Sequence, residues 1–178
     1  VHGMATETSR TSTQHVLETL GIRAESAAEP LTSGSVRYVP TSLLCPGLAR
    51  LLDVRRVVGL RNPAHSLVKM LNPMQGRALL VCSHTHPEYA LSMTHTLSLM
   101  QANALLLRGT EGEAVADPRR CPKMDTWLGG VWQVELSCQA QEGVLAELPL
   151  LPRQIDAATV AVYNQAVVAG EKPSPGPL

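Results

Sequence analysis

The chain has 178 residues, 44% of them hydrophobic, which is enough for one domain with a real hydrophobic core. Its formal net charge of zero gives no overall argument for binding nucleic acid or an anionic membrane surface, and its 3% aromatic content, without any Phe, gives no sign of a base-stacking platform. The sequence shows no signal peptide, no apolar run long enough for a transmembrane helix and no Cys-x-x-Cys pair, so we expect a cytoplasmic protein with reduced thiols.

Hydrophobic periodicity and the positions of Gly and Pro predict the secondary structure. In chain order the predicted elements are a helix at 11–20, a loop at 21–34, a short strand at 36–39, helices at 46–52 and 64–71, a strand at 77–83, a helix at 87–100, strands at 104–107 and 131–136, and a helix at 156–169. Residues 53–60 either continue the preceding helix or form a connector, and residues 114–130 are interrupted by Pro and Gly.

Two of these strands and the helix between them make residues 77–107 a β-α-β unit. Its length of about 30 residues is normal for a right-handed parallel crossover. The helix carries one apolar stripe, made by Tyr89, Met93, Leu97 and Met100. We therefore predict an α/β fold with a central, largely parallel sheet flanked by helices, in a single domain over residues 1–178. Because the chain begins with Val and finishes in a Pro-rich stretch, we expect a fragment that lacks both natural ends.

The strand predicted at 104–107 runs into a loop with two glycines and two carboxylates. These are Gly109, Gly112, Glu111 and Glu113. Open α/β sheets bind ligands at the carboxyl ends of buried parallel strands. Two carboxylates on such a loop suit Mg²⁺, which combines a few carboxylates with substrate phosphates. The alternative is a solvated turn with ordinary surface charge.

Two other segments are candidate anion sites. In the first, His2-Gly3 and the hydroxyl-rich residues 6–13 lead into the N-terminus of a helix, where free backbone N–H groups and hydroxyls bind anions. The alternative is simple capping, which needs only one hydroxyl. The second is Arg61, which suits a carboxylate or phosphate clamp, the alternative being an ordinary exposed arginine beside a turn.

Cys82, His84 and His86 follow one another at alternate positions near the end of the strand predicted at 77–83. Alternate residues share one face of a strand, so these three side chains are a candidate metal site. The spacing offers no fourth ligand, and the alternative is a polar loop.

Taken together, these segments resemble the anthranilate phosphoribosyltransferase family, which is glycosyltransferase family 3. Residues 2–21 are similar to that family's Lys-His-Gly-Asn-Arg … Val-Leu-Glu-Ala-Leu-Gly stretch, with the spacing from His to the final Gly preserved. Residues 61–73 are similar to its Arg-Thr-x-x-Asn … Asn-Pro stretch, and residues 109–113 stand where the family has Gly-x-Asp-Gly-x-Asp-Glu. The agreement covers roughly residues 1–115.

The chain also departs from this family pattern. Val1 stands in place of Lys, Met4 and Ala5 replace Asn and Arg, and the loop at 109–113 is one residue short and has Glu for Asp. With its 61–73 segment, the chain looks most like a divergent branch of the family, the YbiB-type proteins. That resemblance implies the family fold, no established transferase role, and nucleic-acid binding as a homodimer.

The family resemblance implies a C-terminal phosphoribosyltransferase domain, as in tryptophan biosynthesis, with an N-terminal helical domain and a Gly-rich diphosphate loop before Val1. Such a domain transfers phosphoribosyl from phosphoribosyl pyrophosphate to an aromatic amine. The implied ligand-binding residues fall into three groups: Ser9 and Thr13 for phosphate, His2 and Gly3 with Arg61 for the acceptor, and Glu111 and Glu113 for Mg²⁺.

The resemblance to the YbiB-type branch implies a different function, a catalytically inactive homologue that binds single-stranded or double-stranded nucleic acid without sequence specificity. Its phosphate contacts would come from basic residues, namely Arg55, Arg56, Arg61, Lys69 and Arg77. A third alternative is a structural relic with neither activity. For the enzyme and the binding protein alike we expect a homodimer formed through the N-terminal domain, and no membrane partner.

Overall fold

The computed structural model describes residues 1–7, 10–110, 113–146 and 151–174. The chain divides into two compact units. Unit 1 comprises Val1–Val68 and Leu151–Pro173, and unit 2 comprises the described residues of Lys69–Leu150 and Ser174–Leu178. That residues 1–178 form a single domain stays a prediction.

Helices and strands are present in both units. The helices are α1 (Thr13–Thr19), α2 (Thr41–Leu44), α3 (Pro46–Val58), α4 (Ala64–Leu67), α5 (Pro87–Leu99) and α6 (Ala157–Val168), and a 3₁₀ turn (Val68–Met70) follows α4. The strands are β1 (His2–Gly3), β2 (Val39–Pro40), β3 (Leu80–His84), β4 (Ala104–Arg108), β5 (Met124–Leu128) and β6 (Val131–Cys138). The predicted α/β class is confirmed.

Unit 1 is mainly helical, with a short parallel ladder in which β1 pairs with β2 and His2 lies opposite Val39. Helix α1 begins after Ser12, whose hydroxyl oxygen accepts a hydrogen bond from the His15 N–H at 3.3 Å. Helix α3 runs to Val58 and ends at Gly59, whose φ of 75° is the left-handed conformation that glycine tolerates at a helix C-terminus. Residues 53–58 are therefore helical, the first of the two predicted alternatives.

Helices α1 and α6 pack against each other within unit 1. The Asp156 carboxylate caps α6 by accepting a hydrogen bond from the Thr159 N–H at 2.9 Å. The Thr11 hydroxyl, just before α1, donates to the Ile155 carbonyl oxygen. One side chain from each helix, Val16 and Ala161, is buried.

Unit 2 is built on a four-stranded sheet with the order β3-β4-β5-β6. β3 and β4 are parallel and are joined by α5, as the β-α-β prediction expects. The β4–β5 and β5–β6 pairs are antiparallel, so the sheet is mixed and its parallel part is the β3–β4 pair, whereas we predicted a largely parallel sheet. The difference arises because β4, β5 and β6 follow one another through loops and a hairpin, which produce antiparallel neighbours.

The core of unit 2 lies between α5 and one face of the sheet. Its buried side chains are Met70, Leu80, Cys82, Met93, Leu97, Ala104, Leu106 and Trp127. From the predicted apolar stripe of α5, Met93 and Leu97 are buried, whereas Tyr89 and Met100 remain 44% and 46% exposed. The buried stripe is therefore narrower than the sequence pattern indicated.

Strand β5 was missed because residues 114–130 contain several Pro and Gly residues. A local signal was nevertheless present in Gly129-Gly130, which joins β5 to β6. Both glycines have positive φ, 55° and 78°, as a two-residue hairpin loop requires. The strand predicted at 36–39 was too long, since β2 has two residues, and α2 was not predicted.

Candidate functional sites

The parallel strands β3 and β4 end side by side. Their last residues, His84 and Arg108, are partners in the ladder. The pairing continues one residue further, because the Gly109 N–H donates a hydrogen bond to the His84 carbonyl oxygen at 3.0 Å. This is the carboxyl-terminal edge at which open α/β sheets bind ligands.

The acidic turn, residues 109–115, begins at this edge; its residues 111 and 112 lie outside the described part of the chain. The N–H and hydroxyl of Thr110 donate to the Val115 carbonyl oxygen at 2.9 Å and 3.1 Å, and the Glu113 N–H donates to the Thr110 carbonyl oxygen at 2.8 Å. These hydrogen bonds close the turn and leave Glu113 exposed.

Gly109 holds the acidic turn close to β3. A Cβ atom added at Gly109 would lie 2.6 Å from the Cβ of Ser83 and 2.8 Å from its hydroxyl oxygen, and would also overlap the Glu113 carbonyl oxygen. Ser83 is 1% exposed and cannot move aside without disturbing the packing around it. Only glycine fits at this position, so the turn is fixed against the end of the sheet.

Of the two predicted Mg²⁺ ligands, Glu113 therefore lies on a turn at the carboxyl-terminal edge of the β3–β4 pair, and Glu111 lies outside the described residues. Within the described ranges, no three His, Cys, Asp or Glu side chains are close enough together to hold a metal ion. The Mg²⁺ role of Glu111 and Glu113 stays a prediction.

The proposed metal set of Cys82, His84 and His86 is wrong, because all three residues are described and they form no such group. Cys82 is 1% exposed, and burial raises the pKa of its thiol to about 11 even though Lys69 opposes the shift. His86 lies beyond β3, where its ring contacts that of Tyr89 with the two centroids 5.9 Å apart.

Basic side chains surround the ends of β3 and β4. The Lys69 ammonium donates a hydrogen bond to the Ser83 carbonyl oxygen at 3.1 Å. Arg108 is exposed, and His84 is half-buried. Burial lowers the pKa of His84, and the positive charges of Arg108 and Lys69 lower it further. The sequence interpretation treated Lys69 only as a general basic residue and missed its position at the strand ends.

In unit 1, the predicted acceptor residues His2 and Gly3 form β1. The Val1 backbone nitrogen donates to the Arg37 carbonyl oxygen at 2.9 Å, and the Val39 N–H donates to the Val1 carbonyl oxygen at 2.9 Å, which anchors this strand. A Cβ added at Gly3 would lie 3.4 Å from the hydroxyl of the buried Tyr38. A Cβ at position 3 would therefore be in ordinary van der Waals contact with Tyr38.

The two predicted phosphate residues are placed differently. Thr13 is exposed as the first residue of α1, and Ser9 lies outside the described residues. Glu7, which the sequence interpretation missed, forms ion pairs with Arg10 at 2.8 Å and with Arg55 on α3. The approach to α1 thus contains an ion-pair group (Glu7, Arg10 and Arg55) in which one carboxylate pairs with two guanidinium groups.

Arg61, the predicted acceptor clamp, is exposed just before a turn that Asn62 stabilises. The Asn62 amide nitrogen donates to the Leu51 carbonyl oxygen at 2.7 Å, and its oxygen accepts from the Ala64 N–H at 3.0 Å. Burial lowers the pKa of the neighbouring His65, and the charges of Arg55 and Arg61 add to the effect. Arg61 is therefore near the ion-pair group, and no acidic side chain among the described residues pairs with it.

The predicted site residues are thus distributed over both units. His2, Gly3, Thr13 and Arg61 belong to unit 1, and Glu113 belongs to unit 2. Their roles in phosphate, acceptor and metal binding stay predictions.

Comparison with known proteins finds a relative for the whole chain. The chain is 33% identical over 183 residues to "Uncharacterized protein YbiB" of Escherichia coli (strain K12). The alignment includes 100% of this chain and 56% of that protein, so the chain spans about half the length of the curated relative it matches. No family model matches the chain. The similarity supports the predicted relationship to YbiB-type proteins, and membership of the anthranilate phosphoribosyltransferase family stays a prediction.

The helices in the described part of the chain were also compared with the length and hydropathy of a membrane span. None of them is both long and apolar enough to cross a bilayer.

Proposed function

We propose that this chain belongs to a protein of the anthranilate phosphoribosyltransferase type and that it binds phosphoribosyl pyrophosphate together with Mg²⁺. The observation that carries the proposal is the position of the acidic turn, which emerges at the carboxyl-terminal edge of the parallel strands β3 and β4. The close contact between Gly109 and Ser83 holds the start of this turn against β3, which supports a fixed backbone position for Glu113.

The donor set fits a hard cation. Glu113 is exposed on the acidic turn, and Glu111 is two residues away in sequence. Two carboxylates with substrate phosphates are the usual surroundings of Mg²⁺ in proteins. The metal, when bound, supplies positive charge that stabilises the leaving pyrophosphate. The chain's own contribution is to hold two carboxylates at one place and so to orient the diphosphate.

The acceptor side of the proposal rests on unit 1. His2 and Gly3 would line the acceptor site, and the exposed Arg61 would pair with an acceptor carboxylate through its planar guanidinium. Ser9 and Thr13 would contribute hydroxyls to phosphate. Met4 and Ala5 lack the polar atoms of the family's Asn and Arg, so the acceptor would be an aromatic amine other than anthranilate.

Calorimetric titration of phosphoribosyl pyrophosphate into the full-length protein tests this proposal, first with Mg²⁺ and then with EDTA. We expect Mg²⁺-dependent binding that Glu111→Gln/Glu113→Gln weakens by about tenfold or more, since each charged contact is worth about 1.5–3 kcal/mol. Glu135→Gln, which removes an exposed carboxylate from β6 in the same unit, is the matched control and should leave the affinity unchanged. An affinity for phosphoribosyl pyrophosphate that changes neither with Mg²⁺ nor with the double substitution would refute the proposal.

A second candidate function, sequence-independent binding of single-stranded or double-stranded nucleic acid, is favoured by a specific difference among the basic residues. Arg55 and Arg56 are engaged by Glu7 and Asp53, whereas Arg61 and Arg77 are exposed and pair with no acidic side chain among the described residues. Unpaired arginines are the groups that contact a phosphate backbone.

Fluorescence anisotropy with a labelled oligonucleotide at increasing salt tests this second function. Replacing Arg61 and Arg77 by Gln should flatten the salt slope by about 0.7–0.9 per lost phosphate contact. Glu111→Gln/Glu113→Gln should have no effect on this binding, which separates it from metal-dependent diphosphate binding. Both functions are proposed for a cytoplasmic homodimer that forms through a preceding N-terminal domain.

A further inference from the structure

The ends of β3 and β4 place two basic side chains on the same face of the sheet. His84 and Arg108 are ladder partners in a parallel pair, and paired residues project from one face. Cys82 and Leu106, two residues earlier on each strand, share that face and are buried in the core beneath α5. His84 and Arg108 therefore lie next to each other at the edge of a dry core.

Besides Arg108, a second permanent positive charge lies at the same edge. The Lys69 ammonium is 3.1 Å from the Ser83 carbonyl oxygen, one residue before His84 in β3. We call Lys69, His84 and Arg108 the strand-end basic group. The hydrogen bond to Ser83 holds the Lys69 ammonium in place, so Lys69 contributes a positive charge at a fixed position.

Asp125, an acidic residue on the same face of the sheet, is already engaged. Asp125 of β5 lies opposite Leu106 and so projects from the same face as Arg108. Its carboxylate forms an ion pair with Lys123 at 2.9 Å and accepts a hydrogen bond from the Trp132 indole N–H at 3.1 Å. Among the described residues, no acidic side chain forms an ion pair with Arg108.

The His84 imidazole has a hydrogen-bonding position to spare. Its Nδ1 atom is buried and forms no hydrogen bond of normal geometry with any described residue, although the His86 backbone lies close enough to favour the protonated ring. Burial together with Arg108 and Lys69 lowers the pKa of the imidazole. An anion bound beside these residues would offset the repulsion between the charges of Arg108 and Lys69 and would accept a hydrogen bond from an N–H of the His84 imidazole.

We propose that the strand-end basic group is a metal-independent site for a terminal phosphate or diphosphate group, with Arg108 and His84 as the direct contacts. The inference rests on the proposed function for the identity of the ligand, and it adds a second contact to the phosphates beside the acidic turn. A doubly charged terminal phosphate suits a group with two permanent cations better than a singly charged phosphodiester does.

Binding of inorganic pyrophosphate to the full-length protein in EDTA tests the site. Calorimetry gives the dissociation constant, and the ¹³C–¹H signals of the histidine imidazoles, assigned with His84→Gln, report contact at His84. We expect the His84 signals to shift with pyrophosphate and Arg108→Gln to weaken binding by about tenfold, the value of one charge-assisted hydrogen bond. His84→Gln should weaken binding in the same direction.

Two exposed residues of unit 2 provide matched controls. Arg119 lies between β4 and β5, where it pairs with Asp117, and His95 lies on α5. Arg119→Gln and His95→Gln should leave pyrophosphate affinity unchanged. The site is refuted if pyrophosphate does not bind, if the His84 signals do not respond, or if Arg119→Gln weakens binding as much as Arg108→Gln.

The same measurements separate this inference from the proposed function. Glu111→Gln/Glu113→Gln should abolish the Mg²⁺-dependent part of phosphoribosyl pyrophosphate binding and leave pyrophosphate binding in EDTA intact. If phosphoribosyl pyrophosphate shows no Mg²⁺-dependent binding while pyrophosphate still binds in EDTA, the proposed function is overturned. If pyrophosphate does not bind in EDTA while the Mg²⁺-dependent binding is present, the phosphate site is overturned. An oligonucleotide without terminal phosphates that competes as well as pyrophosphate would overturn the assignment to a terminal phosphate.

Discussion

The two units handle their charged residues in opposite ways. In unit 1, the carboxylate of Glu7 is shared by Arg10 and Arg55, and Arg37 pairs with Glu25 at 3.4 Å. The carboxylate of Glu7 thus lies within the segment whose hydroxyl-rich sequence predicted an anion site. These ion pairs link the approach to α1 with α3, and residue 25 with residue 37.

In unit 2, pairing stops where the parallel strands end. Asp117 is held by Arg119, whose hydrogen bonds lower the pKa of its carboxyl to about 2, and Asp125 is held by Lys123. Arg108, at the end of β4, has no such partner among the described residues. The hydroxyl-rich segment therefore lies beside an ion-pair group, whereas the exposed Arg108 at the strand end pairs with no acidic side chain among the described residues. Which of the two places binds an anion stays a prediction.

The units also differ in how they are held together. Unit 2 has a continuous buried core between its sheet and α5, whereas the ladder of unit 1 is two residues long on each strand. We therefore expect unit 2 to depend most on apolar packing and unit 1 to depend more on ion pairs and caps. Substitutions in each unit test this contrast.

The largest effect is expected in the core of unit 2. Leu97 is 0% exposed, whereas Leu99, two residues later on the same helix, is 86% exposed. Leu97→Ala should lower the free energy of unfolding by about 2–5 kcal/mol, because it removes buried methyl groups and leaves a cavity. Leu99→Ala should change it by less than about 0.5 kcal/mol. Urea denaturation measures both, and similar values for the two variants would remove the basis for the contrast.

A smaller effect is expected at the acidic turn. Gly109→Ala places a methyl group 2.6 Å from the Ser83 Cβ, and we expect it to cost about 1–3 kcal/mol of unfolding free energy. Gly47 lies in helix α3 with no atom within 4 Å of an added Cβ. Gly47→Ala should be neutral or stabilising by up to about 1 kcal/mol. Thermal denaturation distinguishes the two, and a harmless Gly109→Ala would show that the turn is not fixed by this contact.

Much of the fold of unit 2 could be predicted from local sequence. The β-α-β prediction succeeded because β3, α5 and β4 are strongly periodic and are bounded by Pro87 and by the polar segment after Leu99. Strand β5 and its antiparallel pairing with β4 were not predicted, because this pairing depends on contacts between residues that are distant in sequence. The hairpin glycines Gly129 and Gly130 were the local signal that could have revealed it.

The candidate sites were less predictable. The acidic turn was located correctly at a strand end, because a buried run followed by Gly and Glu is a local pattern. The roles of Glu7 and Lys69 were not visible, since each depends on a partner brought close by folding, Arg55 for Glu7 and the Ser83 carbonyl for Lys69. Contacts between charged side chains and partners distant in sequence follow no fixed spacing, so the sequence alone does not reveal them.

The smallest effects are expected from the ion pairs of unit 1, where two carboxylates form a matched comparison. Glu7 and its partner Arg55 are 23% and 18% exposed, whereas Asp53 and its partner Arg56 are 52% and 56% exposed. Solvent screens the second pair more strongly, so Asp53→Asn should cost about 0–0.5 kcal/mol of unfolding free energy. Glu7→Gln should cost about 1–2 kcal/mol of unfolding free energy, since it removes the partner of Arg55, whose side chain is 18% exposed.

A double-substitution cycle decides whether the cost at Glu7 comes from pairing. The coupling between Glu7→Gln and Arg55→Gln should be about 1 kcal/mol, and should fall by less in high salt than the coupling between Asp53→Asn and Arg56→Gln. Equal losses of unfolding free energy in Glu7→Gln and Asp53→Asn, or a Glu7–Arg55 coupling free energy near zero, would mean that this ion pair does not stabilise the fold. Packing, rather than charge, would then hold the approach to α1 in place.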